Sequence, residues 1–325
     1  MKRSLAVLAV IVCFILTFGA FSTTKAETIL FPVIAVNQPN VTTIVSVNNW
    51  SSTATHLHYT YRFKDSLSGG SPNYTGGCTN ASFTRPTSVS DVVSFDASGI
   101  LNSGNALFND PNSYGGAFSL SGTGARRALL LVTHSNASGT RVDAGEFALS
   151  GEAMLLDIAF GAAWGYKAIN DPSTETYSFV NWWDRGGSTG VGVYYSISIG
   201  MSLISPRQIT ILPPNEWTTK FFVTPIGGTM TSDRTAQIAL ILLYDRGGTQ
   251  YFPTLTQSVT CTAAVDLEDL IDSTIWSSIQ TMGGWGAIFP PAGDIIVYKL
   301  EYVVNNATYG GTNNNGFLIS TYDWF

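Results

Sequence analysis

The chain has 325 residues, of which 12% are charged and 45% are hydrophobic. The charged fraction is about half that of an average soluble protein, so Ser, Thr, Asn and Gly must supply most of the polar surface. With 16 basic against 22 acidic residues, the chain lacks the basic character of a nucleic-acid-binding protein, and its composition argues against coiled coil and against extended disorder.

The first 26 residues are predicted to be a secretory signal peptide. Two basic residues open the chain, an almost unbroken apolar run covers 5–21, and small residues at Thr24 and Ala26 precede the predicted cleavage before Glu27. The alternative is an uncleaved anchor, because the run approaches the ~20 residues that span a bilayer. Cleavage removes three bases and no acid, which changes the net charge from −6 to −9. We expect a secreted, extracellular or cell-surface protein with no transmembrane helix after cleavage; the periplasm is the other location.

The rest of the chain is dominated by patterns that predict β-strands. Four segments alternate apolar and polar residues with a period of two: 41–48, 56–63, 191–203 and 296–304. Such alternation is typical of strands with one face in a core and one in a polar setting. Short apolar runs at 128–132 and 238–244 predict strands buried on both faces. The sequence therefore predicts a mainly β, antiparallel sandwich of Ig-like or jelly-roll-like type.

One segment departs from the strand pattern. Its apolar residues recur at helical spacing: Leu267, Leu270, Ile271, Ile275, Ile279 and Met282. Acidic residues crowd its first turn, where they complement the helix dipole, and Gly283 and Gly284 follow its end. The spacing predicts an amphipathic helix over 266–282.

Similar landmarks recur in the two halves of the chain. Thr42, Asp65 and Cys78 are followed by Thr218, Asp245 and Cys261 at offsets of 176, 180 and 183 residues. This drift is typical of two copies that differ by loop insertions. We therefore predict two related sandwich domains in tandem, over 27–190 and 191–325, with the boundary between 170 and 214. A single composite domain is the alternative.

Two cysteines, Cys78 and Cys261, remain after cleavage of the leader. In an oxidising compartment such a pair can form one disulfide. Two buried free thiols are the competing interpretation, and the sequence leaves both open.

Three histidines are the candidate metal ligands. His56 and His58 alternate with Leu57 on a predicted strand, so their imidazoles lie on one face about 7 Å apart, and His134 follows an apolar strand. The set fits zinc or copper. However, the alternation alone explains His56 and His58 as members of a polar strand face.

Carboxylates offer the other route to chemistry. Asp143, Glu146, Glu152 and Asp157 lie close in sequence, and a glycosidase needs two positioned carboxyl groups. Acids scattered near turns are the simpler interpretation. The chain carries no nucleophile elbow, Walker loop or Cys-x-x-Cys motif, so we predict no catalytic residues and no cofactor.

Adjacent tryptophans, Trp182 and Trp183, are the candidate ligand-binding residues. On a strand the two side chains point to opposite faces, so one is expected to be exposed. An exposed ring can stack on a sugar or anchor a subunit interface. Coverage of both rings by neighbouring loops is the structural alternative.

The composition resembles that of bacterial surface-layer and adhesin-type proteins, a resemblance that assigns no role to any residue. We expect a non-catalytic secreted or cell-surface protein that self-associates or joins the cell envelope, because few charges oppose the packing of copies side by side. An outer-membrane β-barrel is the first alternative: the chain ends in Phe325, although Asp323 interrupts the last alternation. The second is a carbohydrate-binding module, with or without a weak glycoside hydrolase site.

Overall fold

The computed structural model describes residues 28–52, 56–107, 116–120, 122–140, 142, 148–159, 162–170, 206–226, 232–303 and 318–321. Across these residues the chain is mainly β, with paired strands running antiparallel, which confirms the predicted fold class. The predicted leader at 1–26 and the predicted strand at 191–203 lie outside the described residues.

We divide the described chain into a first unit, 28–170, and a second unit, 206–321. The strands of the first unit are β1 (Thr28–Val36), β2 (Val41–Asn49), β3 (His56–Asp65), β4 (Leu67–Ser68), β5 (Ser71–Pro72), β6 (Thr79–Pro86), β7 (Asp91–Asp96), β8 (Arg126–Ser135), β9 (Leu149–Asp157), β10 (Ala162–Lys167) and β11 (Ile169–Asn170). The strands of the second unit are β12 (Arg207–Ile211), β13 (Trp217–Ile226), β14 (Thr235–Asp245), β15 (Gln250–Tyr251), β16 (Thr256–Thr260), β17 (Ala263–Asp266), β18 (Gly284–Phe289), β19 (Asp294–Val303) and β20 (Leu318–Thr321).

Each unit is built from two antiparallel sheets. In the first unit the strand orders are β11-β1-β8-β3-β6 and β10-β9-β2-β7, and β4 pairs with β5 as a small hairpin. In the second unit β12, β18 and β14 lie side by side, β14 also pairs with β15 and β16, and the other sheet has the order β17-β13-β19-β20. The sheets enclose apolar residues between them, as in a β-sandwich.

The two units share one strand topology. The path β1-β8-β3-β6 in the first unit has the same order as β12-β18-β14-β16 in the second. The path β10-β9-β2-β7 likewise matches β20-β19-β13-β17. Eight strands thus correspond one to one in chain order, and Thr42 and Thr218 are the second residues of the corresponding strands β2 and β13. The predicted domain boundary falls mostly on residues outside the described ranges.

Period-two alternation places the core of the first unit as predicted. Leu57, Tyr59 and Tyr61 of β3 point inward and are at most 1% exposed. Tyr59 packs edge-on against Phe95, with ring centroids 5.8 Å apart, and against Phe118 at 5.2 Å. These edge-to-face contacts fill the space between the two sheets.

Strand β19 departs from the expected pattern because both of its faces are buried. Its apolar positions Tyr298 and Leu300 face the first unit. Its polar positions Lys299 and Glu301 point into the second unit, where they form an ion pair. The alternation predicts one face in a core and one in a polar setting. In the structure the first unit covers the apolar face of β19, and the ion pair permits its polar face to be buried as well.

The predicted helix over 266–282 is shorter and interrupted. Residues Leu267–Leu270 form a 3-10 helix, and the α-helix, α1, covers Ser273–Ile279. Asp272 is extended, and its side chain accepts hydrogen bonds from the backbone N–H groups of Thr274 and Ile275. This N-cap starts a new helix within the periodic run, so the run does not form one continuous helix.

The outer face of the β17-β13-β19-β20 sheet packs against the first unit. The Tyr298 ring lies 5.3 Å from the rings of both Trp164 and Tyr166 on β10. The Thr224 hydroxyl of β13 donates to the Pro32 carbonyl of β1 at 2.7 Å. The two units therefore share a buried interface along the β1–β10 side of the first unit.

Candidate functional site

A disulfide joins the two units. Cys78, which precedes β6, is bonded to Cys261 between β16 and β17, 183 residues later in the chain. The pair is thus a covalent link across the interface, and of the two interpretations left open by the sequence the structure contains the bonded one.

Polar contacts surround this disulfide. The Asp233 carboxylate accepts hydrogen bonds from the Cys78 backbone N–H, with donor–acceptor distances of 3.1 and 3.3 Å, and forms an ion pair with the buried Arg62. Lys64 Nζ donates to the carbonyls of Tyr74, Gly76 and Thr260 at 2.9, 3.1 and 2.9 Å.

Burial lowers the pKa of Lys64 to about 8, and the nearby Asp233 opposes this change. Because an ammonium group has three donors and each one reaches a carbonyl, Lys64 has no donor left for a ligand. Two of its acceptors belong to the first unit and one to the second. Lys64 therefore forms hydrogen bonds to both units and holds them together at the disulfide.

The same disulfide bears on metal binding. Among the described residues, the one group of three or more His, Cys, Asp or Glu side chains close enough to share a cation is Cys78, Asp233 and Cys261. Its two sulfur atoms are bonded to each other. They are not available as the thiolates that a metal ion requires.

The structure does not bring the three predicted histidine ligands together. His134 on β8 lies opposite Leu57 on β3, so its side chain shares the inner face with Leu57 and is fully buried. His56 and His58 point to the outer face, and His58 Nδ1 lies 2.9 Å from the Thr84 hydroxyl. The polar-face interpretation describes His56 and His58, whereas His134 is a core residue.

Hydrogen bonding identifies the tautomer of His134. The Asn49 side-chain amide donates to the Ser88 carbonyl, and its oxygen accepts from the Ser51 N–H at 3.0 Å, which fixes the amide orientation. His134 Nε2 lies 3.0 Å from that oxygen and must therefore carry the proton. Burial lowers the pKa of His134 to about 4, so the ring is neutral at physiological pH.

Glu152 and Asp157, the two predicted carboxylates within the described residues, do not form a catalytic pair. Glu152 is exposed on the outer face of β9, and Asp157 lies five residues later, on the opposite face of the same strand. The separation along the strand is about 16 Å, well beyond the spacing of glycosidase carboxyl groups. Asp143 and Glu146 lie outside the described residues, and so do Trp182 and Trp183.

The most accessible candidate for binding is one side of the β10-β9-β2-β7 sheet, which we call the open face. Its outward side chains include Ile44, Ser46 and Asn48 on β2, and Glu152 and Met154 on β9. Ser46 lies 2.7 Å from the hydroxyl of Ser94 on β7, and Met154 is 41% exposed. The face is therefore made largely of small polar and apolar groups.

Trp50 stands at one end of the open face. Its side chain is 61% exposed, and its indole N–H donates to the Ser150 hydroxyl at 3.0 Å. The same hydroxyl accepts from the Asn48 amide at 3.2 Å. These hydrogen bonds orient the ring while its surface remains in solvent. The sequence analysis did not identify Trp50, although its position continues the outward parity of Ile44, Ser46 and Asn48.

A shallow recess of about 380 Å³ lies in the middle of the open face, between β2, β9 and β10. Gly165 lines the recess without contributing a side chain. A Cβ atom at this position would have one atom within 4 Å, the Ala153 carbonyl oxygen at 3.5 Å, so the space beside Gly165 is open. Glu152 and Lys167 are cross-strand neighbours at its edge. The recess can accept an apolar side chain beside the two oppositely charged residues Glu152 and Lys167.

Comparisons of the chain with protein-family models, with curated proteins and with solved structures found no match. Among the described residues, no helix is both long enough and apolar enough to span a bilayer. The function must therefore be argued from the geometry above.

Proposed function

We propose that this chain is a secreted or cell-surface, non-catalytic β-protein that acts in surface assembly or adhesion. The open face is the observation that carries the proposal. It offers a sheet surface with exposed Trp50 and Met154 among small polar side chains. Exposed aromatic and Met side chains are common interface anchors.

The disulfide supports a location outside the reducing cytosol. A bond between Cys78 and Cys261 persists in oxidising compartments such as the cell exterior, the cell surface or the periplasm. It also ties two sandwich units that already share a buried interface. A unit pair locked in this way suits a protein that must keep its shape on a surface.

Two measurements on the oxidised chain test the proposal. Sedimentation across a wide concentration range is expected to show association, and isolated envelope fragments of the source cells are expected to retain the protein. Bovine serum albumin serves as the control for non-specific retention. A clean monomer at all concentrations that envelope fragments also fail to retain would contradict the proposal.

Carbohydrate binding is the second candidate, and Trp50 is the observation that favours it. A flat, oriented indole beside the Asn48 amide and the Ser150 hydroxyl combines a stacking surface with hydrogen-bonding groups. A glycan array tests it. Binding should disappear in Trp50→Ala and persist in Trp285→Ala, whose ring is 39% exposed but stacked on Tyr244 at 4.4 Å. Loss in Trp182→Ala or Trp183→Ala instead would move the site to those residues.

A further inference from the structure

The shared topology gives the open face an equivalent in the second unit. Because β2 and β9 correspond to β13 and β19, Ser46 corresponds to Phe222 and Glu152 to Tyr298. The two pairs are cross-strand partners in their own sheets, and the correspondence follows from aligning Thr42 with Thr218, the second residues of β2 and β13. The open face and the outer face of the β17-β13-β19-β20 sheet are therefore the same surface of two repeated units.

These two equivalent surfaces differ in what covers them. In the second unit the surface is buried against the first unit, where Phe222 lies under the Arg127 guanidinium at 5.7 Å and Tyr298 meets Trp164. In the first unit no preceding unit exists within the described chain, and Met154 remains 41% exposed. One copy of the surface is thus occupied and the other is open.

We propose that the open face binds the second unit of another copy of this chain, in a head-to-tail contact that repeats the contact between the units. This proposal rests on the proposed function in assembly and names the surface that performs it. The receiving surface is the β12–β20 side of the second unit, because β12 and β20 correspond to β1 and β10, which receive the second unit within the chain. A contact between two different surfaces leaves one of each free on a dimer, so further copies can add to form a ring or an open chain.

Side-chain differences set the strength of this contact. Ser46 and Glu152 replace the large aromatic groups Phe222 and Tyr298 of the internal interface, so less apolar area is buried between copies than between units. The contact within the chain is also supported by the Cys78–Cys261 disulfide, which links the units covalently. We therefore expect the contact between copies to be reversible and dependent on concentration.

Substitutions on the two surfaces test the proposal by sedimentation of the full oxidised chain. Met154→Lys places a charge in the open face, and Gln208→Arg enlarges an exposed side chain on β12. Each is expected to weaken association by about tenfold or more, because an uncompensated charge must be desolvated at the contact. Phe252→Lys is the matched control, since Phe252 is 67% exposed and follows β15, at the other edge of the β12-containing sheet. Thermal unfolding should show that all three variants keep the stability of the parent chain.

An equimolar mixture distinguishes a head-to-tail contact from a symmetric one. The Gln208→Arg copy keeps an intact open face and the Met154→Lys copy keeps an intact receiving edge, so the mixture should form dimers that neither variant forms alone. If the parent chain associates but the mixture stays monomeric, the head-to-tail contact is wrong while the proposed function stands. The same conclusion follows if Met154→Lys associates like the parent, or if the parent is a monomer that envelope fragments retain. A monomeric parent that is not retained overturns both proposals.

Discussion

Lys299 and Glu301 form an ion pair in the interior of the second unit, with 3.0 Å between Nζ and Oε2 and side chains that are 2% and 1% exposed. Glu301 Oε1 also accepts hydrogen bonds from the Leu212 N–H at 2.9 Å and the Thr219 hydroxyl at 3.0 Å. Although only 12% of the residues in the chain are charged, two of them lie in this buried pair. Removal of either partner leaves the other without compensation.

Lys299→Met is therefore expected to lower the free energy of unfolding by about 3–5 kcal/mol. Urea unfolding measures the change. Lys220→Met is the control: its ion pair with Asp266 has side chains that are 25% and 33% exposed, and its loss should cost about 1 kcal/mol or less. The double variant Lys299→Met/Glu301→Gln should recover much of the loss, because the neutral amide oxygen can still accept from the Leu212 N–H and the Thr219 hydroxyl. Equal costs for the two single variants would contradict this account.

The neutral His134 predicts a loss of stability in mild acid. Its pKa is about 4 in the folded protein because of burial, against about 6.5 in an unfolded chain. Above pH 6.5 the ring is neutral in both the folded and the unfolded state, so its protonation does not reduce the free energy of unfolding there. As the pH falls from 6.5 to 4, only the unfolded state gains the proton, and the folded state loses about 3 kcal/mol.

His134→Gln tests the assignment because a glutamine amide can still donate to Asn49 but does not titrate. Urea unfolding at several pH values between 7 and 4 should show a smaller loss of stability in this variant than in the parent chain. An unchanged pH profile in His134→Gln would show that other groups dominate.

Loss of the Cys78–Cys261 disulfide is expected to destabilise the protein by about 2–5 kcal/mol, because it removes the constraint on a long loop of the unfolded chain. The two cysteines are 183 residues apart, which favours the upper part of that range. Unfolding in urea with and without dithiothreitol measures the effect. Cys78→Ser should match the reduced parent and should not respond to dithiothreitol. A response of this variant would point to a target other than the disulfide.

Asp272→Ala is expected to cost about 1 kcal/mol of stability, because it removes the side-chain acceptor at the start of α1. Glu268→Ala is the control: Glu268 is an exposed acid in the preceding 3-10 helix. Thermal unfolding followed by circular dichroism compares the two. A single continuous helix from 266 to 282 would instead make both substitutions nearly neutral.

Strand alternation predicted the fold because it reports directly which side chains face a core. The inward residues Leu57, Tyr59 and Tyr61 were assigned in this way. The same rule did not predict that both faces of β19 are buried. Alternation shows that Tyr298 lies on an apolar face, but it does not show that the first unit covers that face. The helix was overestimated because the spacing of apolar residues does not reveal that the Asp272 side chain accepts hydrogen bonds from the Thr274 and Ile275 N–H groups and so begins a new helix.

The open face was harder to predict from the sequence than the fold was. The recurrence of Thr42, Asp65 and Cys78 predicts a repeat, and this stays a prediction; the structure shows that eight strands of the two units have the same order. The sequence does not predict the open face, because the packing of the two units determines which of the two equivalent sheet surfaces remains exposed. Trp50 could have been found by extending the outward parity of β2 by one more step, since Ser46 and Asn48 share its side of the strand.

The covalent link between the units also determines how the chain carries tension. A pull applied to the chain before Cys78 and after Cys261 passes through the bond between them and bypasses the intervening segment. A span of 183 residues corresponds to about 600 Å of extended polypeptide, none of which can be drawn out while the bond is intact. That span holds more than half of the buried core residues of the first unit and half of those of the second. Tension therefore cannot extend this span while the disulfide is intact, and reduction of that one bond would remove the covalent barrier to its extension.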